Sequence, residues 1–131
     1  MENNGRKILV VDDDELLCEF YTRILTFKGY NVVCAANGDE ALQQLRKSSD
    51  FDLAIIDLLM PILSGAELIE IIKKTPELAR IPLLVITGLA KTSEELETVR
   101  ATCDEIMFKG KFELPRFLQT VERLCSGNPG T

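Results

Sequence analysis

Lys7-Ile-Leu-Val-Val-Asp-Asp-Asp14 sets an apolar run directly against three consecutive carboxylates. Ile8 to Val11 is too short for a buried helix, and its β-branched character suits a strand covered on both faces. Similar runs recur at Asn31 to Ala35, Leu53 to Ile56, Leu83 to Ile86 and Glu105 to Phe108. The second and fifth are less uniformly apolar, as edge strands can be.

Amphipathic stretches separate these runs. Leu16, Leu17, Phe20, Ile24 and Phe27 recur at helical spacing, as do Leu114, Phe117, Leu118, Val121 and Leu124. Ser64-Gly-Ala-Glu67 and Thr92-Ser-Glu-Glu95 have the form of a capping box, so a helix is expected after each. Asn37-Gly38 breaks the chain before a shorter helix carrying Ala41, Leu42 and Leu45. Strand-plus-helix alternation through five units predicts an α/β fold, a parallel sheet with helices on both faces.

Right-handed crossovers bring all strands of such a sheet out at one edge, so residues that directly follow strands share a rim. That rim would collect Asp12, Asp13 and Asp14, then Asp57, then Thr87 and Gly88, then Lys109. Clustered carboxylates raise one another's pKa unless a cation or proton intervenes. Hard oxygen ligands with no histidine suit Mg²⁺ rather than Zn²⁺. Asp14 reads as a helix cap. Asp57 is delivered by Ala-Ile-Ile beside Leu58-Leu-Met-Pro61, a segment that offers no counter-charge. Lys109 supplies an ammonium and Thr87 a hydroxyl, the groups that would hold a phosphoryl oxygen; Lys111 competes with Lys109 for the first role.

Composition narrows the classes. The chain has 131 residues, 46% of them hydrophobic, enough for one core and too few for two. Its longest apolar runs fall far short of a membrane span, and its start lacks the apolar stretch of a signal peptide, so a soluble cytoplasmic protein is expected. A net charge of -6 opposes direct binding to nucleic acid. The absence of histidine excludes Ser-His-Asp and Cys-His catalysis and any phosphohistidine of the chain's own. Cys18, Cys34, Cys103 and Cys125 are widely spaced and read as buried thiols in a reducing compartment.

The series Lys7-Ile-Leu-Val-Val-Asp12-Asp13, Asp57-Leu-Leu-Met-Pro61 with Ser64-Gly65, Thr87-Gly88 and Lys109 resembles the CheY-like receiver family of response regulators. The likeness runs from about Lys7 to Cys125. It implies residues 1–6 as an N-terminal extension, 7–125 as the receiver domain and 126–131 as a flexible tail or linker stub. It also implies a flavodoxin-like, doubly wound, five-stranded sheet in the order 2-1-3-4-5, with the site between the first and third strands. Carried over residue by residue, Asp57 resembles the phosphoacceptor. Asp13 and Asp57 would hold Mg²⁺ directly, Asp12 through water, and the Leu59 carbonyl would add an oxygen. Thr87 and Lys109 would hold the phosphoryl group.

The implied function is a phosphorelay switch that promotes its own phosphorylation on aspartate and slow dephosphorylation. A histidine kinase or histidine phosphotransfer protein would be the donor. The downstream protein would meet the surface of Thr92–Ala101 and Glu105–Cys125. Two departures stand out: Ile106 replaces the usual aromatic residue of the fifth strand, and Gly110 replaces the usual proline after the lysine, so a trans bond or a remodelled loop is expected there. Leu59 and Leu89, two residues beyond Asp57 and Thr87, are apolar where they would flank a hydrolytic water. A haloacid-dehalogenase-like Mg²⁺ phosphatase is the enzyme alternative, suggested by Asp12-x-Asp14, but it needs a further acid where the fourth strand ends Thr-Gly-Leu. A flavin module would need a phosphate loop free of acids, and a receiver-like binding module not switched by phosphate is the third alternative.

Overall fold

A computed structural model describes residues 5–60, 63–88 and 94–126, apart from the side chain of Glu95. Five strands, β1 (Lys7–Val11), β2 (Asn31–Ala35), β3 (Leu53–Ile56), β4 (Leu83–Thr87) and β5 (Glu105–Phe108), form one sheet in the order β2-β1-β3-β4-β5. Every pair is parallel. The two strands read as less apolar are the edges. Helices α1 (Glu15–Phe27), α2 (Gly38–Lys47), α3 (Gly65–Lys74), α4 (Glu94–Arg100) and α5 (Leu114–Cys125) alternate with them, and a 3₁₀ turn spans Lys109–Lys111.

Strand side chains alternate between two cores. Leu9, Val11, Ala54, Ile56, Leu83 and Val85 pack with the buried residues of α2, α3 and α4. Ile8, Val10, Leu53, Ile55, Leu84 and Ile86 pack with those of α1 and α5. Burial on both faces is why these strands read as continuous apolar runs rather than alternating ones. In the α1–α5 core the rings of Tyr21, Phe112 and Phe117 meet with centroids 5.2–6.2 Å apart.

Local signals start the helices at the expected positions. Asp14 caps α1, its side chain accepting from the backbone N–H groups of Leu16 and Leu17. Asn37 caps α2, and Ser64 with Glu67 closes a reciprocal capping box at α3. At the end of α1, Gly29 takes φ 98°, the left-handed conformation that lets the chain turn into Tyr30. Pro61, Leu89 and Thr92 lie outside the described residues, so the second capping box does too.

Two expectations need correction. Helix α1 exists as read, but its deeply buried residues are Tyr21 and Leu25, while Leu16 is 76% and Phe27 82% exposed. Apolar residues cover so much of this helix's circumference that spacing identifies the helix without identifying the packed face. The cysteines are not uniformly buried either. Only Cys125 is; Cys34 is exposed, and Cys18 and Cys103 are intermediate. An edge strand has one flank open to solvent, which is where Cys34 stands.

Candidate functional site

Parallel pairing delivers the acids to one rim. Val11 and Ile56 are register partners, so Asp12 and Asp57 leave adjacent strands at the same level. The Asp57 amide donates to the Val11 carbonyl at 3.0 Å, and the Asp12 amide to the Ala35 carbonyl at 3.1 Å. Both carboxylates are 4% exposed, whereas Asp13 faces solvent. One oxygen each from Asp12, Asp13 and Asp57 lies within 4.8 Å of the others.

Lys109 enters from the far edge of the sheet. Its Nζ is 3.2 Å from Asp12 Oδ2 and 3.2 Å from Asp57 Oδ2. Lys111, the competitor, is exposed. The glycine after Lys109 is accommodated by the 3₁₀ turn, with no cis peptide bond among the described residues. Thr87 ends β4, fully buried, and is the register partner of Phe108, the residue before Lys109. Ile56 pairs with Val85, which puts Thr87 one step beyond Asp57 on the neighbouring strand.

Two backbone amides organise the acids. Asp12 Oδ1 accepts from the Asp14 N–H at 2.9 Å, and Asp57 Oδ1 accepts from the Leu59 N–H at 3.3 Å. Burial pushes the Asp57 carboxyl pKa up, and Asp12 pushes it the same way. Lys109 and the Leu59 amide oppose this without cancelling it. Burial of Lys109 disfavours its charge, but attraction to Asp57 and Asp12 outweighs it, and its pKa is raised. The lysine is held as a cation between two acids.

Gly65 has a part in the site that spacing did not reveal. A Cβ there would lie 2.2 Å from the Asp57 carbonyl oxygen and 2.7 Å from the Leu58 Cα. The first turn of α3 therefore rests on the backbone that carries Asp57, and the Gly65 amide donates to the Leu58 carbonyl at 3.2 Å. In the sequence Gly65 stood out as a glycine directly after a helix cap and as part of the series carrying the family resemblance, but with no role attached.

Two buried carboxylates and an exposed third, all oxygen donors and balanced by one ammonium, leave net negative charge that a small dication would neutralise. Mg²⁺ takes its oxygen ligands octahedrally at about 2.0–2.1 Å, so two ligands on one ion lie about 3–4 Å apart, a spacing these side chains can reach from positions within 4.8 Å of one another. The residues present fit such an ion. Among the described residues no acid from β4 joins the cluster, which removes the group a haloacid-dehalogenase-like site needs.

Known proteins resemble this chain in sequence and fold. DivK, the polar-differentiation response regulator of Brucella anthropi, is 28% identical over 117 residues, covering 89% of this chain and 94% of DivK. The probable transcriptional regulator ycf29 of Porphyra purpurea is 35% identical over 96 residues, 73% of this chain, and the aligned part is 46% of that protein. The response regulator TrrA of Thermotoga maritima, solved with Mg²⁺–BeF, superposes with a TM-score of 0.78 at 28% identity, covering 91% of this chain and 98% of that one. The family profile for the response regulator receiver domain matches residues 8–122, from the first core residue of β1 into α5. Only the two short ends fall outside that match, and the chain belongs to the response regulator receiver domains.

Proposed function

We propose that Asp57 is the phosphoacceptor of this receiver and that its carboxylate takes a phosphoryl group from a histidine kinase or histidine phosphotransfer protein. The observation that carries the reading is the convergence of Asp12, Asp13, Asp57 and Lys109 at one rim. An Asp57 oxygen attacks phosphorus, the bond from phosphorus to the donor's imidazole nitrogen breaks, and an acyl phosphate results. Phosphoryl transfer depends mainly on positioning and charge neutralisation, and both would come here from residues that directly follow rigid strands.

Asp13 and Asp57 would hold Mg²⁺ directly, Asp12 through water, and the Leu59 carbonyl would supply a further oxygen. Bound there, the ion would neutralise charge on the transferring phosphoryl oxygens. Lys109 moves its ammonium from Asp57 to a phosphoryl oxygen, which needs only a side-chain rotation. Thr87 offers its hydroxyl to another. The donor's approach is supported by Leu16, Leu59 and Leu114, three exposed apolar residues that each follow a strand on the same side of the sheet as the acids.

A downstream protein would meet Thr92–Ala101 and Glu105–Cys125, of which the described residues form α4, β5 and α5. Thr87 borders this surface through its pairing with Phe108. Ile106 carries no ring, so an aromatic rotamer relay is not available at that position. Residues 7–125 are the receiver unit, working in the cytoplasm without direct contact to nucleic acid or membrane; none of the described helices is long and apolar enough to cross a bilayer.

Incubation with acetyl phosphate and Mg²⁺, read by intact mass, tests the assignment. Wild type should gain one phosphoryl group and Asp57→Asn none. Labelling that persists in Asp57→Asn, or wild type that never labels, overturns it. Failure to label would favour the receiver-like module not switched by phosphate.

A further inference from the structure

A second cluster of reactive side chains lies beside the acidic rim without taking part in it. Cys18, in the second turn of α1, and Cys34, near the end of β2, are remote in sequence, yet α1 and β2 bring them together so that the Cys34 thiol donates to the Cys18 backbone. Cys34 Sγ is 3.0 Å from Thr22 Oγ1 and 3.7 Å from the Cys18 carbonyl oxygen. Cys18 Sγ donates to the Asp12 carbonyl at 3.3 Å. The two cysteines line an open hollow of about 560 Å³ together with Asp12, Glu19, Thr22 and Glu40.

We propose that Cys18 and Cys34 form a redox-active dithiol, closed to a disulfide by hydrogen peroxide. With the Cys34 sulfur already 3.7 Å from the Cys18 carbonyl oxygen and both side chains in one hollow, side-chain rotation can bring the sulfurs to the S–S bond length of about 2.05 Å. Their exposures divide the roles. Cys34, open to solvent on an edge strand, meets the oxidant; Cys18, half-buried behind it, resolves the product. Its neighbour Cys18 holds the Cys34 thiol below its ordinary pKa, with the Thr22 hydroxyl helping and burial opposing, which favours Cys34 as the attacking sulfur.

The chemistry balances in two steps. Cys34 thiolate attacks the O–O bond, gaining an oxygen as sulfenic acid, and the departing hydroxide leaves as water after taking a proton. Cys18 then attacks the Cys34 sulfur, the S–S bond forms, and the sulfenic oxygen departs as a second water. Two thiols lose two protons and two electrons, and one peroxide is reduced to two waters. Disulfide formation also withdraws the Cys18 S–H from the Asp12 carbonyl. Cys103 packs against the α2–α3–α4 core and Cys125 lies in the α1–α5 core, so neither shares the hollow.

The full chain is treated with hydrogen peroxide in chelator, unfolded in iodoacetamide and weighed. Wild type should lose the mass of two hydrogens and alkylate at two of its four cysteines, Cys103 and Cys125, with dithiothreitol restoring all four. In Cys18→Ser, Cys34 should instead accumulate as a sulfenic acid that dimedone captures; Cys34→Ser should form no bridge. Four alkylated cysteines in oxidised wild type, a bridge to Cys103 or Cys125, or dimedone capture of Cys34 as strong in wild type as in Cys18→Ser overturns the proposal. Neither Mg²⁺ nor a phosphodonor is present, so this result stands apart from the phosphoacceptor assignment.

Discussion

Lys109 Nζ lies 3.2 Å from Asp57 Oδ2, although the two residues are 52 positions apart in the chain. The same nitrogen is 3.2 Å from Asp12, so a single cation bridges the ends of two adjacent strands from beyond the edge of the sheet.

Lys109→Ala leaves two buried carboxylates facing each other without compensation. Removing one member of a buried ion pair typically costs about 3–5 kcal/mol, and the partial exposure of Lys109 puts this case at or below the lower end. Urea denaturation in chelator should show the loss. Titration with Mg²⁺ should recover most of it, because a dication no longer competes with the ammonium. Phosphorylation by acetyl phosphate should slow about 100-fold.

Asp57→Asn should make the metal-free protein more stable. The Asp57 pKa is raised in the folded state by burial and by Asp12, so the fold binds this proton more tightly than the unfolded chain does. Ionised Asp57 therefore subtracts stability above its folded pKa, and the penalty fades as pH falls through that pKa and then the unfolded value. Thermal melts in chelator should place the Asp57→Asn variant several degrees above wild type at neutral pH, converging towards acid. Added Mg²⁺ should raise wild type more than the variant. A wild type that is equally stable or more stable in chelator at neutral pH contradicts the site's electrostatics.

Leu59→Asn should speed loss of the phosphoryl group. Leu59 is 51% exposed two residues beyond Asp57, and an apolar side chain there holds no water against the acyl phosphate. An amide offers a donor and an acceptor to orient one. Decay of phosphorylated protein after removal of the donor measures this; an unchanged half-life shows that Leu59 does not govern the hydrolysis rate.

Gly65→Ala should disturb both stability and function. The new Cβ would sit 2.2 Å from the Asp57 carbonyl oxygen, so α3 must shift or the Asp57 peptide must turn. Overpacking of this kind costs roughly 1–3 kcal/mol. Mg²⁺ binding followed by calorimetry should weaken as well. Gly110→Ala, where a Cβ meets nothing within 4 Å, is the matched control and should be nearly neutral.

The three inner strands were legible because parallel strands buried on both faces must be apolar throughout, and the edge strands β2 and β5 followed from their place in the strand-helix alternation. Once their order is known, the meeting of Asp12, Asp57 and Lys109 follows from topology. What stayed hidden depends on side chains rather than period. Helix α1 carries apolar residues around most of its girth, so Tyr21 and Leu25 could not be told from Leu16 and Phe27. Cys18 and Cys34 meet only because α1 crosses β2 at a particular height, and spacing in the chain contains no trace of that. Gly65 is needed for its missing side chain, which becomes a constraint only when the Asp57 backbone is beneath it.

Because Gly65 rests on the peptide of Asp57 and is pinned there by the cap at Ser64, the site has one stiff jaw. A phosphoryl group arriving on Asp57 cannot push that jaw back without dragging a ten-residue helix with it. The strain of accommodating a new dianion would then be relieved across the cleft, where Thr87 and Lys109 stand. With Asp57 as the acceptor, mechanical compliance would give the switch its direction: the chemistry would take place over α3, and the displacement would be delivered to the opposite half of the sheet.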